Sequence, residues 1–263
     1  MRKFINKRKK FGFTLAEVLI TLGIIGVVAS MTIPSLLTDI SNKKLKTQFL
    51  KTYGDLNQAA KLFYTNEGAS VHDVDMTYTH SGWRSDEVLK KYMSYFKGYN
   101  EKPRNQAYDF WREYDARQNI TQRNLDGSVT TQYPCDQSFV SLDINGRIFA
   151  TDDHVMAHLN QNYPFGPKIC VDINGIAPPN RMGYDRFVFV FTADNEVVPY
   201  TGYLWNGIAS NVEVTKDDEI KNISKYCSKT ENTNTPAHTC AYFALKDKSP
   251  TGEGTYWKDF LKK

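Results

Sequence analysis

The sequence predicts an α+β fold in which one long N-terminal helix lies on an antiparallel sheet. Three observations carry that expectation. An apolar run, Phe13–Leu37, passes directly into an amphipathic pattern that reaches Tyr64. Downstream of Ile120, short runs of β-branched and aromatic residues alternate with turn signals such as Asn145-Gly146 and Asp194-Asn195. Residues 65–263 are long enough to bury one sizeable core. The expected organisation is a basic segment at 1–12, the long helix at 13–64 and a globular domain at 65–263.

The first element is set by charge. Arg2, Lys3, Lys7, Arg8, Lys9 and Lys10 precede the apolar run, and within Phe13–Leu37 the only charged side chain is Glu17. The 25 residues of that run span about 37 Å as a helix, enough to cross a bilayer. The basic flank places the N-terminus in the cytoplasm and the remainder across the membrane. Gly23, Gly26 and Ser30 lie near one helical face, the kind of small-residue seam along which helices approach closely. A carboxylate in hydrocarbon costs about 2.5–3.5 kcal/mol even on insertion scales, so Glu17 calls for a partner.

The segment Lys9-Lys10-Phe11-Gly12-Phe13-Thr14-Leu15-Ala16-Glu17-Val18 resembles the prepilin peptidase recognition sequence of type IV pilins and type II secretion pseudopilins. The resemblance implies cleavage after Gly12, N-methylation of Phe13, and a role for Glu17 in subunit assembly, paired with the amino terminus of a neighbouring subunit. It extends to about Tyr64 and includes Pro34, where many pilins bend the helix. It also implies a pilin-like fold and a set of partners: other pilin subunits, the peptidase and an inner-membrane assembly platform. The implied location is an inner-membrane precursor whose mature globular domain is extracytoplasmic, in a surface or periplasmic filament. An ordinary signal peptide cleaved near Val28-Ala29-Ser30 is the competing export reading. Against it, Glu17 would fall inside the apolar region, and the run continues through Met31, Ile33, Leu36 and Leu37.

Overall charge does not point to nucleic acid. The chain carries +4, but removing the six basic residues of Met1–Gly12 leaves 27 Lys and Arg against 29 Asp and Glu, a net charge of −2. That balance supplies no basic stripe to neutralise phosphates.

Past the membrane segment, Leu45, Phe49, Tyr53, Leu56, Ala60 and Phe63 recur at spacings of three and four and predict a helix with one buried stripe. Pro34 removes one N–H from the ladder and predicts a bend there, whereas Gly54 costs only about 1 kcal/mol against alanine. Ser85-Asp86-Glu87 predicts the cap of a short helix reaching about Phe96, and the aromatic-rich stretch to Ile120 reads as irregular. Phe139–Ile144 and Arg147–Ala150 predict a hairpin closed by a type I′ turn at Asn145-Gly146. Phe187–Phe191 and Glu196-Val197-Val198, around Asp194-Asn195, predict a second hairpin.

Cys135, Cys170, Cys227 and Cys240 lie on the side of the membrane where oxidation is permitted and allow three pairings. Linking near neighbours favours Cys135–Cys170 and Cys227–Cys240, and the second would stabilise the fold by about 3 kcal/mol in the chain-entropy model. The polar segment between Cys227 and Cys240 resembles the C-terminal disulfide-bounded loop of pilins.

Two groups of polar residues suggest metal chemistry. Asp172, Asn174, Asn180 and Asp185 offer hard oxygen ligands in a tight loop, which suits calcium, and calcium-binding loops of type II major pseudopilins are similar in kind. The later bidentate glutamate of an EF-hand is absent, and Asx-turns alone account for such a loop. His154 and His158 share a face if helical, but Val155 stands where the metalloprotease pattern needs glutamate, so a solvated pair is the simpler reading. No Gly-x-Ser-x-Gly elbow, P-loop or Gly-rich dinucleotide turn occurs, so catalysis has no sequence support. The sequence therefore predicts a structural filament subunit, with a membrane-tethered exported enzyme or binding protein as the reading from another class.

Overall fold

A computed structural model describes residues 12–78, 86–101, 121, 123–130, 135, 139–152, 165–201, 223–230 and 237–262. The chain divides into two compact units, residues 1–41 and 42–263. Helix α1, Leu15–Glu67, is continuous and contains Pro34.

In the first unit α1 is apolar all round, and its large side chains, from Leu15 to Ile40, are exposed. Five of its hydroxyls are satisfied within the helix. Thr21, Ser30, Thr32, Ser35 and Thr38 donate their hydroxyls to backbone oxygens of Val18, Val27, Val28, Thr32 and Pro34, at 2.8–3.0 Å. Such back-bonding matches these five hydroxyl hydrogens on the helix itself, which is what a helix in hydrocarbon requires.

The second unit is built on a six-stranded antiparallel sheet whose strands follow one another in chain order. They are β1 (Asn100–Glu101), β2 (Phe139–Leu142), β3 (Ile148–Asp152), β4 (Phe165–Asp172), β5 (Arg186–Thr192) and β6 (Val197–Pro199). The helical elements around it are α2 (Val71–Tyr78), α3 (Asp86–Met93), α4 (Cys240–Lys246) and a π-helical turn at Tyr256–Phe260. Leu45, Phe49, Leu56, Ala60 and Phe63 of α1 are buried as the stripe predicts, with Tyr53 partly buried beside them. Phe49 meets Phe187 edge-on at 4.6 Å between centroids, and Tyr53 stacks on Phe189 at 5.9 Å. Phe191 continues the row against Tyr92 at 4.7 Å. Alternate residues of β5 thus present three phenylalanines to the helices, while Val188 and Val190 fill the opposite face.

The hairpin β2–β3 differs from the expected type I′ turn. Leu142 pairs with Ile148, the Asp143 amide donates to Arg147 O, and the Gly146 amide donates to Asp143 O. Gly146 has φ +75°, whereas Asn145 is not left-handed, so the loop has three residues and ends in one left-handed position. The cause is Asp143. Its carboxylate accepts the amides of Asn145 and Arg147 at 2.9 and 3.0 Å and fixes an Asx-turn. The β5–β6 loop repeats the pattern, with Thr192 bonded to Glu196 and Asn195 at φ +60°. Helix α3 ends at Met93, earlier than Phe96, because Tyr95 and Phe96 turn back in i→i−3 bonds to Tyr92 and Met93.

Buried ion pairs and disulfides tie these elements. Arg147, 6% exposed in its side chain, bonds Asp143 at 2.6 Å and Asp55 of α1 at 2.8 Å, and donates to Thr52 Oγ1 at 3.1 Å. Cys135 is bonded to Cys170 in β4, and Cys227 to Cys240 at the start of α4. Their Cα–Cα distances are 5.8 and 4.9 Å, ordinary for disulfides.

Candidate functional site

The chemistry singled out in the sequence lies at the start of α1. Phe13 is 90% exposed, and Gly12 and Thr14 beside it lie outside regular secondary structure and are exposed. Glu17 is bonded within its own chain. Its Oε2 accepts the Thr14 amide and the Thr14 hydroxyl, both at 2.8 Å, and Thr14 Oγ1 accepts the Glu17 amide at 3.2 Å. This is a reciprocal capping box, Thr-x-x-Glu, which satisfies two orphan donors of the first helical turn. Thr14 is the capping partner of Glu17, and its spacing from Glu17 is the signature of the motif.

The capping box leaves part of the carboxylate free. Oε1 accepts no bond from Thr14, so it can still receive a cation brought into the apolar layer. Nothing lies within 4 Å of a Cβ placed on Gly23 or Gly26, so the small-residue seam is open to a second helix. Pro34 lies inside the helix, and its carbonyl is taken by Thr38.

A family model described as the prokaryotic N-terminal methylation motif matches residues 7–33. The chain carries that motif. It is the hallmark of type IV pilins and pseudopilins, and it spans Lys7–Lys10 of the basic segment, Gly12, Phe13 and Glu17 as well as the seam at Gly23 and Gly26. No curated protein and no solved structure matches the chain.

The oxygen-rich loop between β4 and β5 is held by internal bonds. Asp172 and Arg186 are cross-strand partners at its neck, joined at 2.8 Å with both side chains buried. Asp185 accepts the amides of Asn180 and Arg181, one on each oxygen, at 2.7 Å. The side-chain amide of Asn174 takes the carbonyls of Ala177 and Pro178, and that of Asn180 takes Ile176 O. A further guanidinium nitrogen of Arg186 reaches Asn180 Oδ1 at 3.5 Å. As placed, these four residues do not fit calcium, because a permanent cation already stands among them and the carboxylate oxygens hold N–H donors. Burial raises both carboxyls, Asp172 well above the usual range and Asp185 to about 6, while Arg186 pulls the other way. Gly175, at φ +67°, is required here, since a Cβ would run into the carbonyl oxygen of Gly146 in the neighbouring turn.

His154 and His158 lie outside the described residues. A cleft of about 560 Å³ borders the Cys227–Cys240 disulfide, lined by Ser228, Lys229, Thr230, Ser249 and Phe260 among others. Lys229 sits there as a helix-end cap. It donates to Phe260 O at 2.8 Å and to Tyr184 Oη at 3.2 Å, and partial burial lowers its amine to about 8.

Proposed function

We propose that this chain is the structural subunit of a type IV pilus-like filament, cleaved after Gly12, methylated on Phe13 and polymerised through α1. The observation that carries the reading is the methylation motif set on a helix with a fully exposed apolar surface. Such a surface is stable only in lipid or against other helices, and the subunit passes from one to the other as it enters a filament. The apolar helix fits anchoring of the precursor in the inner membrane, with the basic segment in the cytoplasm. Glu17 is the register device. Its free oxygen receives the amino terminus of the preceding subunit, an attraction that grows as both groups leave water. The globular unit contributes mass and surface, with its own stability secured by disulfides.

A pseudopilin of a type II secretion system is the second reading, because the same motif begins both kinds of subunit. Co-expression with a prepilin peptidase tests the shared step. The reading expects loss of the Met1–Gly12 mass from the native chain and no loss from Gly12→Val. Equal processing of both chains would sink it. Deleting the host's pilus assembly genes, then its secretion genes, separates the two readings by which deletion removes the chain from filaments.

A further inference from the structure

The open edge of β6 is closed by a side chain from α1. Glu196 and Tyr200 direct their main-chain bonds toward β5, through Thr192 N to Glu196 O at 2.9 Å and Tyr200 N to Val188 O at 3.1 Å. By strand alternation Val198 does the same, so Val197 and Pro199 turn their main-chain groups to the outer edge. Among the described residues no further strand pairs there.

Both outer positions are blocked. Asn57 donates its Nδ2 to Val197 O at 2.9 Å and accepts the Val197 amide on Oδ1 at 3.0 Å. A single amide group therefore supplies the donor and the acceptor that an incoming strand would offer. The second hydrogen of Nδ2 is held by Tyr53 O at 3.1 Å, which fixes the amide plane on its own helix. Pro199 has no N–H to give. At the far edge of the sheet, β1 is only two residues long.

An unpaired edge of this kind is a template for strand addition, above all between identical chains held close together. A subunit concentrated along a membrane or a filament meets that condition. We propose that Asn57, with Pro199, is an edge guard that keeps β6 from pairing with β6 of a second copy. Association is thereby left to α1. The guard follows from the sheet geometry alone; its value to assembly rests on the filament reading.

The test uses the full chain in detergent micelles. Hydrogen exchange is read at the Val197 amide, together with particle size by light scattering and intermolecular strand pairing by the amide I band. The native chain is expected to protect Val197 as well as it protects Val198. Asn57→Ala should speed exchange at Val197 about tenfold with the other sheet amides unchanged, the loss of one hydrogen bond. Pro199→Val alone should leave the size unchanged, because Asn57 still holds Val197. The two substitutions together should produce strand-paired oligomers. Asn57→Asp, which keeps the size and the acceptor, should hold the Val197 amide and serves if Asn57→Ala unfolds. Rapid exchange at Val197 in the native chain would overturn the proposal. So would a folded double variant with the native size and no new strand band.

Discussion

The two parts of α1 are one helix by hydrogen bonding and two materials by composition. From Leu15 to Ser41 apolar residues surround the axis and are exposed, with Gly23 and Gly26 open and the hydroxyls turned onto the backbone. From Asn42 to Glu67 a single stripe is buried, and the other faces carry Lys46, Lys51, Asp55 and Lys61. The outer stripe is already matched, by Phe187 and Phe189 of its own sheet and by Trp257. Among the described residues of its own unit the inner surface has no match, so its stability must come from lipid or from other helices. One helix thus serves folding along part of its length and, in the filament proposed above, assembly along the rest.

Substitutions sharpen that contrast. Phe49→Ala removes a ring that touches Phe187, Phe189 and Trp257, and should destabilise the globular unit by about 3–5 kcal/mol in denaturant unfolding. Ile24→Ala should leave that transition in place, and equal losses at the two sites would erase the distinction. Cys227→Ser with Cys240→Ser opens a loop of 13-residue separation and should cost about 2–4 kcal/mol, read from the midpoint of the same transition. The apolar half of α1 should not respond to it.

A pH series examines the buried carboxyls. Asp185 titrates at about 6 in the fold, above an ordinary aspartate, so its ionised form is disfavoured there. Its contribution is therefore most favourable in acid and is lost as pH rises from about 4 through 6. Stability of the native chain relative to Asp185→Asn should fall across that window. A difference that rises instead would mean the two backbone donors and Arg186 outweigh burial. The smallest effect belongs to Thr14→Ala, which removes the capping partner of Glu17 and should cost about 1 kcal/mol of local helix stability. Its readout is amide exchange at Glu17, and unchanged protection there would argue against the capping box.

Much of this was legible locally. The stripe Leu45 to Phe63 and the run Phe187–Phe191 declare themselves because period and burial coincide over several turns or residues. The N-terminal motif is legible because its residues are contiguous. The turn at Asn145-Gly146 was placed but mistyped, since Asp143 supplies side-chain bonds that select the three-residue loop. Strand β4 was missed because it opens with Phe165-Gly166-Pro167 and is irregular between Phe165 and Lys168, which hides the alternation. The oxygen-rich loop suggested calcium because the answering charge, Arg186, reaches Asp172 only through strand register. Asn57 was invisible for the same reason, as its partner Val197 is 140 residues away.

The central claim is that α1 begins at a processed Phe13 and carries the subunit into a filament. The direct measurement is to shear native cells, separate released filaments from membranes, and determine the N-terminus of this chain in each fraction by mass spectrometry. The account predicts N-methylated Phe13 in the sheared fraction. A mature terminus near Met31, or an intact Met1 in both fractions, would contradict it.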